Sequence, residues 1–157
     1  MISETNTEFQ IFIDSADRNK CVYKSPLEFK IKLYDLGIKN IKNVKWIRLD
    51  GIVLPKYLID DRFVILAIPE LDNPLNLDTR QKNCSTFSPI VPKKIYDEWY
   101  SGNALTPIRI YSELLGEISS FTIKILDSRG YTIETDNCAN IFLTFTVCVA
   151  NATIIKL

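Results

Sequence analysis

The feature that most constrains this chain is a hydrophobic period of two. Phe9, Ile11 and Ile13 are spaced by Gln10 and Phe12, and Phe29, Ile31 and Leu33 by Lys30 and Lys32. Phe121, Ile123 and Ile125 alternate with Thr122 and Lys124, and Ile141, Leu143, Phe145, Val147 and Val149 with Thr144, Thr146 and Cys148. Successive side chains of a strand point to opposite faces, so each run predicts a strand with one face on a core. Two segments, Val44 to Leu54 and Phe63 to Ile68, are apolar on both phases and predict strands covered on both faces. Ile108 to Tyr111 and Tyr131 to Glu134 are shorter strand candidates, rich in β-branched and aromatic residues.

Turn chemistry separates these runs. Asp14-Ser15-Ala16-Asp17-Arg18-Asn19 ends the first, Pro26 introduces the second, and Pro55 closes the long apolar stretch. Asp127-Ser128-Arg129-Gly130 predicts a tight turn with Gly130 in the left-handed region. From Glu70 to Pro107 the prolines and Asn/Asp residues multiply, which predicts long loops, with a strand over Thr86 to Val91 and one helical turn over Lys94 to Tyr100. About eight short strands with almost no helix predict an all-β sandwich or barrel. The 157 residues carry no repeat or linker and suit a single domain over 1–157.

Composition narrows the function. Nineteen basic residues balance nineteen acidic ones, and no basic stripe is present, which argues against a nucleic-acid partner. Histidine is absent, removing the commonest general base and metal ligand. Cys21, Cys84, Cys138 and Cys148 form no C-x-x-C pair, so neither a zinc site nor any other metal or cofactor is expected. The polar opening Met1-Ile2-Ser3-Glu4-Thr5-Asn6 does not read as a signal peptide, so reduced thiols are expected and the triplets at Asn83 and Asn151 are not expected to carry glycans. No apolar run approaches the length of a membrane span. The carboxylate pairs Asp14/Asp17 and Asp60/Asp61 lack the ligand spacing of a calcium loop and read as turn residues. Cys148, on a strand and without a histidine to activate it, reads as a small buried hydrophobe. No catalytic residue is assigned, and the chain is expected not to be an enzyme. Tyr96, Trp99 and Tyr100 are the candidate partner-contact residues, with capping of the core as the alternative role.

The order of motifs carries a resemblance. Phe12-Ile13-Asp14-Ser15-Ala16-Asp17-Arg18-Asn19 is followed by Ser25-Pro26-Leu27-Glu28-Phe29-Lys30-Ile31-Lys32-Leu33 and by Val44-Lys45-Trp46-Ile47-Arg48-Leu49 ahead of Leu54-Pro55. Then come Phe63-Val64-Ile65-Leu66-Ala67-Ile68-Pro69-Glu70-Leu71 and Phe121-Thr122-Ile123-Lys124-Ile125-Leu126-Asp127-Ser128-Arg129-Gly130. The series resembles the small jelly-roll minor capsid and penton proteins of large nucleocytoplasmic DNA viruses. That resemblance implies a single jelly-roll β-sandwich of about eight antiparallel strands. It also implies a virion structural role after assembly in the host cytoplasm. The implied partners are the major capsid protein and neighbouring minor capsid proteins, or further copies of the chain in a vertex pentamer. The aromatic residues of the Pro-rich stretch suggest a different alternative, a carbohydrate- or receptor-binding sandwich on the virion surface.

Overall fold

The computed structural model describes residues 5–55, 62–72, 86–96, 99–134 and 139–150, with the Tyr96 side chain left aside. Nine strands lie among them: β1 (Asn6–Asp14), β2 (Glu28–Lys32), β3 (Ile41–Pro55), β4 (Val64–Ala67), β5 (Thr86–Tyr96), β6 (Trp99–Ala104), β7 (Ile108–Ile118), β8 (Ser120–Leu126) and β9 (Phe142–Ala150). Short 3-10 turns at Ser15–Asp17, Leu33–Leu36 and Pro69–Leu71 are the helical elements among the described residues.

Pairing is nested and antiparallel. β1 pairs β9, β2 pairs β8, β3 pairs β7, and β4 pairs β5. The two halves of the chain thus run alongside each other as one long folded ribbon. Two further ladders, β3 with β9 and β4 with β8, roll that ribbon up. The result is a pair of four-stranded sheets, β1-β9-β3-β7 and β2-β8-β4-β5, in jelly-roll order. The ninth strand, β6, pairs with both β3 and β5 and stitches the pair into one curled sheet. The expected all-β jelly-roll sandwich is therefore what forms, with β6 added.

The alternating runs face inward as their period requires. Ile11, Ile13, Phe29, Ile31, Phe121, Ile123, Ile125, Leu143, Phe145, Val147 and Val149 share one buried cluster. Phe145 of one sheet meets two rings of the other. It stacks near-parallel on Phe121 at 6.5 Å and meets Phe87 edge-on at 6.0 Å. Each such pair contributes about 0.5–1.5 kcal/mol beyond its burial.

β4 is covered on both faces, as its continuous apolar run requires. Val64 and Leu66 join the main core, while Ile65 and Ala67 pack with Leu126 and Phe63 on the other side. β3 corrects the same expectation. Its Arg48 and Asp50 are exposed, so one face meets solvent. Apolar residues occur on both phases because the register shifts twice, between Val44 and Trp46 and between Leu49 and Gly51. Each shift changes the phase, so that Val44, Ile47, Leu49, Ile52 and Leu54 all reach the core.

The helical turn expected over Lys94 to Tyr100 is replaced by the end of β5 and the start of β6, with Tyr96 opposite Trp99. The prolines that suggested loops are accommodated by staggered ladders. Pro89 pairs with β4 ahead of the β6 ladder, which begins at Ile90, and Pro92 pairs with β6 past the β4 ladder, which ends at Ile90. Each therefore sits where β5 has one strand neighbour and its missing N–H is not needed. Tyr131 to Glu134 forms no strand beyond a single bridge, Thr132 to Leu126. β2 holds one edge of β8 from Ser120 to Lys124 and β4 the other, which leaves room for only the one bridge at Leu126. The turn before it forms as expected, with Gly130 at φ 86° and Asp127 Oδ1 accepting from the backbone N–H groups of Arg129 and Tyr131.

On β7, Arg109 and Tyr111 point across to the other sheet. Arg109 donates to the Phe87 carbonyl at 2.7 Å and lies over the Phe87 ring, while the Tyr111 hydroxyl donates to the Leu71 carbonyl at 3.0 Å. Burial pushes the Tyr111 phenol up to about 12, with Arg109 opposing and Asp72 adding to the shift.

Two measurements check this packing. A Cβ on Gly102 would lie 2.2 Å from Ile52 Cγ2 and 2.3 Å from Ile90 Cγ2, both on stiff buried side chains, whereas at Gly116 nothing lies within 4 Å. Gly102→Ala should cost about 1–3 kcal/mol in denaturant unfolding, and Gly116→Ala should stay within about 0.5 kcal/mol of the parent. The unfolded phenol ionises around its ordinary 10.0 and the folded one around 12, so the unfolded chain releases its proton first as pH rises. The parent should therefore lose stability between those values more steeply than Tyr111→Phe, measured as melting temperature against pH.

Candidate functional site

The end of the sandwich at which β1 finishes and β9 begins is built by the Asp14–Asn19 segment. Ser15 is fully buried there. It clasps Ile141 from both sides: its N–H donates to the Ile141 carbonyl at 3.0 Å, and its Oγ accepts from the Ile141 N–H at 2.9 Å. Ser15 Oγ also donates to Asn140 Oδ1 at 3.2 Å. Arg18 spans the corner with its planar fork. Nε donates to the Tyr23 carbonyl, Nη2 to the Lys24 carbonyl, and Nη1 to both the Ser15 carbonyl and Asn140 Oδ1, at 2.7–3.0 Å. Asp14 Oδ1 accepts from the Ala16 N–H at 2.8 Å and so caps the 3-10 turn, the turn role its position suggested.

Beside this corner lies an open cleft of about 300 Å³ lined by Asp14, Val53, Trp99, Asn140, Ile141 and Phe142. Four of the six are apolar, and Asp14 and Asn140 supply the polar groups. Of the three aromatic candidates, the structure brings Trp99 into this cleft. Tyr100, next along β6, points to the opposite face by strand alternation and is half-buried. The backbone of Tyr96 pairs with that of Trp99, and its side chain lies outside the described residues. Asn140 and Phe142 were not candidates by sequence. Their one signal is that Phe142, like Phe12, is an aromatic on the outward phase of an otherwise alternating strand.

A second surface lies on the outer face of β7. Ile108 and Ile110 are 41% and 64% exposed; Leu105, ahead of the strand, and Leu114, in its unpaired stretch, are exposed too. Ile110 is the cross-strand partner of Trp46, over whose ring the Arg48 guanidinium lies at 5.6 Å. Among the described residues β7 pairs with β3 alone, so its other edge is open. Its ladder is broken once: Val44 faces Leu115 and Trp46 faces Ile110, which lifts Tyr111–Leu114 out of register.

Cys148 is buried as expected, between its cross-strand neighbours Glu8 and Trp46. Burial and Glu8 push its thiol upward, with Lys45 opposing, so the thiolate is disfavoured. Cys21 is exposed, and Cys84, Cys138, Asp60 and Asp61 lie outside the described residues. Among the described residues no three His, Cys, Asp or Glu side chains gather into a metal-holding group, and no helix is long and apolar enough to cross a membrane.

The corner has a measurable weight. Ser15→Ala leaves the buried Ile141 N–H without its acceptor and should cost about 1–3 kcal/mol. Arg18→Lys should also destabilise, because an ammonium cannot reproduce the four-acceptor fork. Chemical denaturation of both variants reads this directly.

No family model matches the chain. It is 27% identical to an uncharacterized protein of Acanthamoeba polyphaga mimivirus, over 87% of this chain and 63% of the relative. The chain thus spans less than two thirds of that relative's length, and the likeness indicates a giant-virus origin.

Proposed function

We propose that this protein is a non-enzymatic structural subunit of a large DNA virus capsid, a minor capsid protein that braces or glues neighbouring capsomers within the virion. The observation that carries this reading is the apolar edge of β7, open among the described residues, on a jelly-roll sandwich. An exposed edge strand is a hazard that folded proteins normally blunt with charge or cover with another element. β2, the edge of the other sheet, follows that rule with exposed Lys30 and Lys32. At its start β7 instead displays Ile108 and Ile110 beside Trp46, with exposed charge present only from the bulge onward, at Glu113 and Glu117. An edge of this kind suits strand addition, in which main-chain hydrogen bonds supply affinity and alternate side chains supply register. The neutral net charge fits a subunit held among other proteins rather than on a nucleic acid. The likeness to a mimivirus protein supports the viral setting, and the jelly-roll fold supports the structural role. The partners in this reading are the major capsid protein and adjacent minor capsid proteins, with assembly in the host cytoplasm.

Quantitative mass spectrometry of purified particles tests the proposal. The protein should be present at a fixed ratio to the major capsid protein, in well above the roughly sixty copies that a pentamer at every icosahedral vertex requires. A value near sixty would instead assign it to the penton, and absence from particles would refute a virion role. Ile110→Asp should abolish incorporation while costing about 1–2 kcal/mol of folding stability, from lower strand propensity and the lost pair with Trp46, with Ile110→Thr as the milder control that keeps a β-branched residue.

A further inference from the structure

We propose that the edge of β7 pairs with the same edge of a second copy of this chain, giving a two-fold dimer in which the two β7 strands run antiparallel about Ile110. The inference rests on the strand-addition reading of that edge given above and names its occupant. One hydrogen bond fixes the direction of the backbone: the Leu49 N–H donates to the Pro107 carbonyl at 2.7 Å. Pro107 thus turns its carbonyl towards β3. Alternation along the ladder then turns the N–H and C=O groups of Ile108 and Ile110 away from β3, while those of Arg109 face Ile47. The four outward groups lie along the edge that is open among the described residues, in line for another strand. The side chains of the same two isoleucines are exposed beside Trp46.

Charge and register favour a second copy as the partner. The net charge is zero, so two copies approach without mutual repulsion. With the two-fold axis at Ile110, that residue meets its own counterpart, and Trp46 flanks the pair on each side. Ile108 then meets Ser112, and exposed Leu105 of one copy is carried towards exposed Leu114 of the other. Opposite charges come together in the same register. Arg48, the cross-strand neighbour of Ile108, falls on the side where the other copy presents exposed Glu113, next to Ser112. Arg48 bonds Asp50 through Nε and its side chain stays 46% exposed, so the guanidinium keeps a side open to that carboxylate. Neighbouring registers are poorer. An axis at Arg109 sets like charges directly opposite each other. An axis at Ile108 sets Ile110 against Thr106, whose N–H is already donated to Ser88 Oγ. A strand from a different protein would have to supply this matching arrangement, whereas a second copy carries it by symmetry.

Sedimentation and NMR hydrogen exchange on the purified full chain, from micromolar to millimolar, test this. The chain should pass from monomer to dimer and stop there, because a two-fold contact closes on itself. Exchange at the Ile108 and Ile110 amides should slow as the dimer fills, while the Arg109 amide, which faces β3, stays protected throughout. Charged variants read the register. Ile110→Asp and Ile110→Lys should each weaken dimerisation by about tenfold or more, because like charges then meet across the axis, and mixing the two should restore it. Recovery on mixing also shows that both variants fold. The exchange measurement on the parent needs no variant, so it decides the matter if either one misfolds. The proposal is overturned if the chain stays monomeric at millimolar concentration, if the Ile108 and Ile110 amides exchange independently of concentration, or if folded variants fail to recover on mixing. A monomer that still enters particles leaves the capsid reading standing with a different strand on β7. A β7-paired dimer that is absent from particles upholds the dimer and removes the capsid reading.

Discussion

The contact of Phe145 with Phe121 and Phe87 joins the two sheets, and the fold is organised around it. Phe145 belongs to β9, whereas Phe121 and Phe87 belong to β8 and β5 of the facing sheet. Burying these rings requires β9 to lie between β1 and β3 with its inward phase aligned to β8. Once that register is set, the outward phase is set with it, because a slip of one residue would turn every side chain over. The exposed face of β7 and the cleft at the far end are consequences of that alignment.

Rolling a ribbon into two facing sheets also requires the strands to bend, and the chain bends at identifiable places. β3 is fifteen residues long and serves three neighbours, β9, β7 and β6. Its two register shifts add curvature while returning the apolar residues to the core. Just ahead of the first shift Asn43 takes φ 57°, a left-handed conformation that asparagine tolerates better than branched residues do. At the far end of β3, Gly102 lets β6 pass against Ile52 and Ile90, which a side chain there would prevent. Stability and shape are thus coupled at the same few positions.

Much of the fold was legible in the sequence. Four alternating runs became β1, β2, β8 and β9 with the expected faces inward, and the Asp127–Gly130 turn formed as its residues indicated. Less was legible where one local signal met a competing tertiary one. The expected Thr86–Val91 strand held Pro89 but stopped short of Pro92, because tolerance of that proline depends on staggered ladders that only the assembled sheet contains. Tyr131–Glu134 read as a strand because its composition suits one, yet β2 and β4 leave β8 room for a single bridge. Of the candidate site, Trp99 was visible as an aromatic in a Pro-rich stretch. Asn140 was not, because its importance arises from Ser15 and Arg18, more than a hundred residues away along the chain.

By itself the sequence determined most of the strands, which face of most of them is buried, and where most of the tight turns fall. These are local properties, set by a period of two and by the conformational limits of Gly, Pro, Asn and Asp. The tertiary structure alone decided which strand lies beside which, how the two apolar phases of β3 are reconciled, and which polar groups meet Trp99 in one cleft. A period-two pattern specifies a face and not a partner. The partner is chosen when long-range pairings, such as Asp14 with Phe142, close the sheet and remove the alternatives.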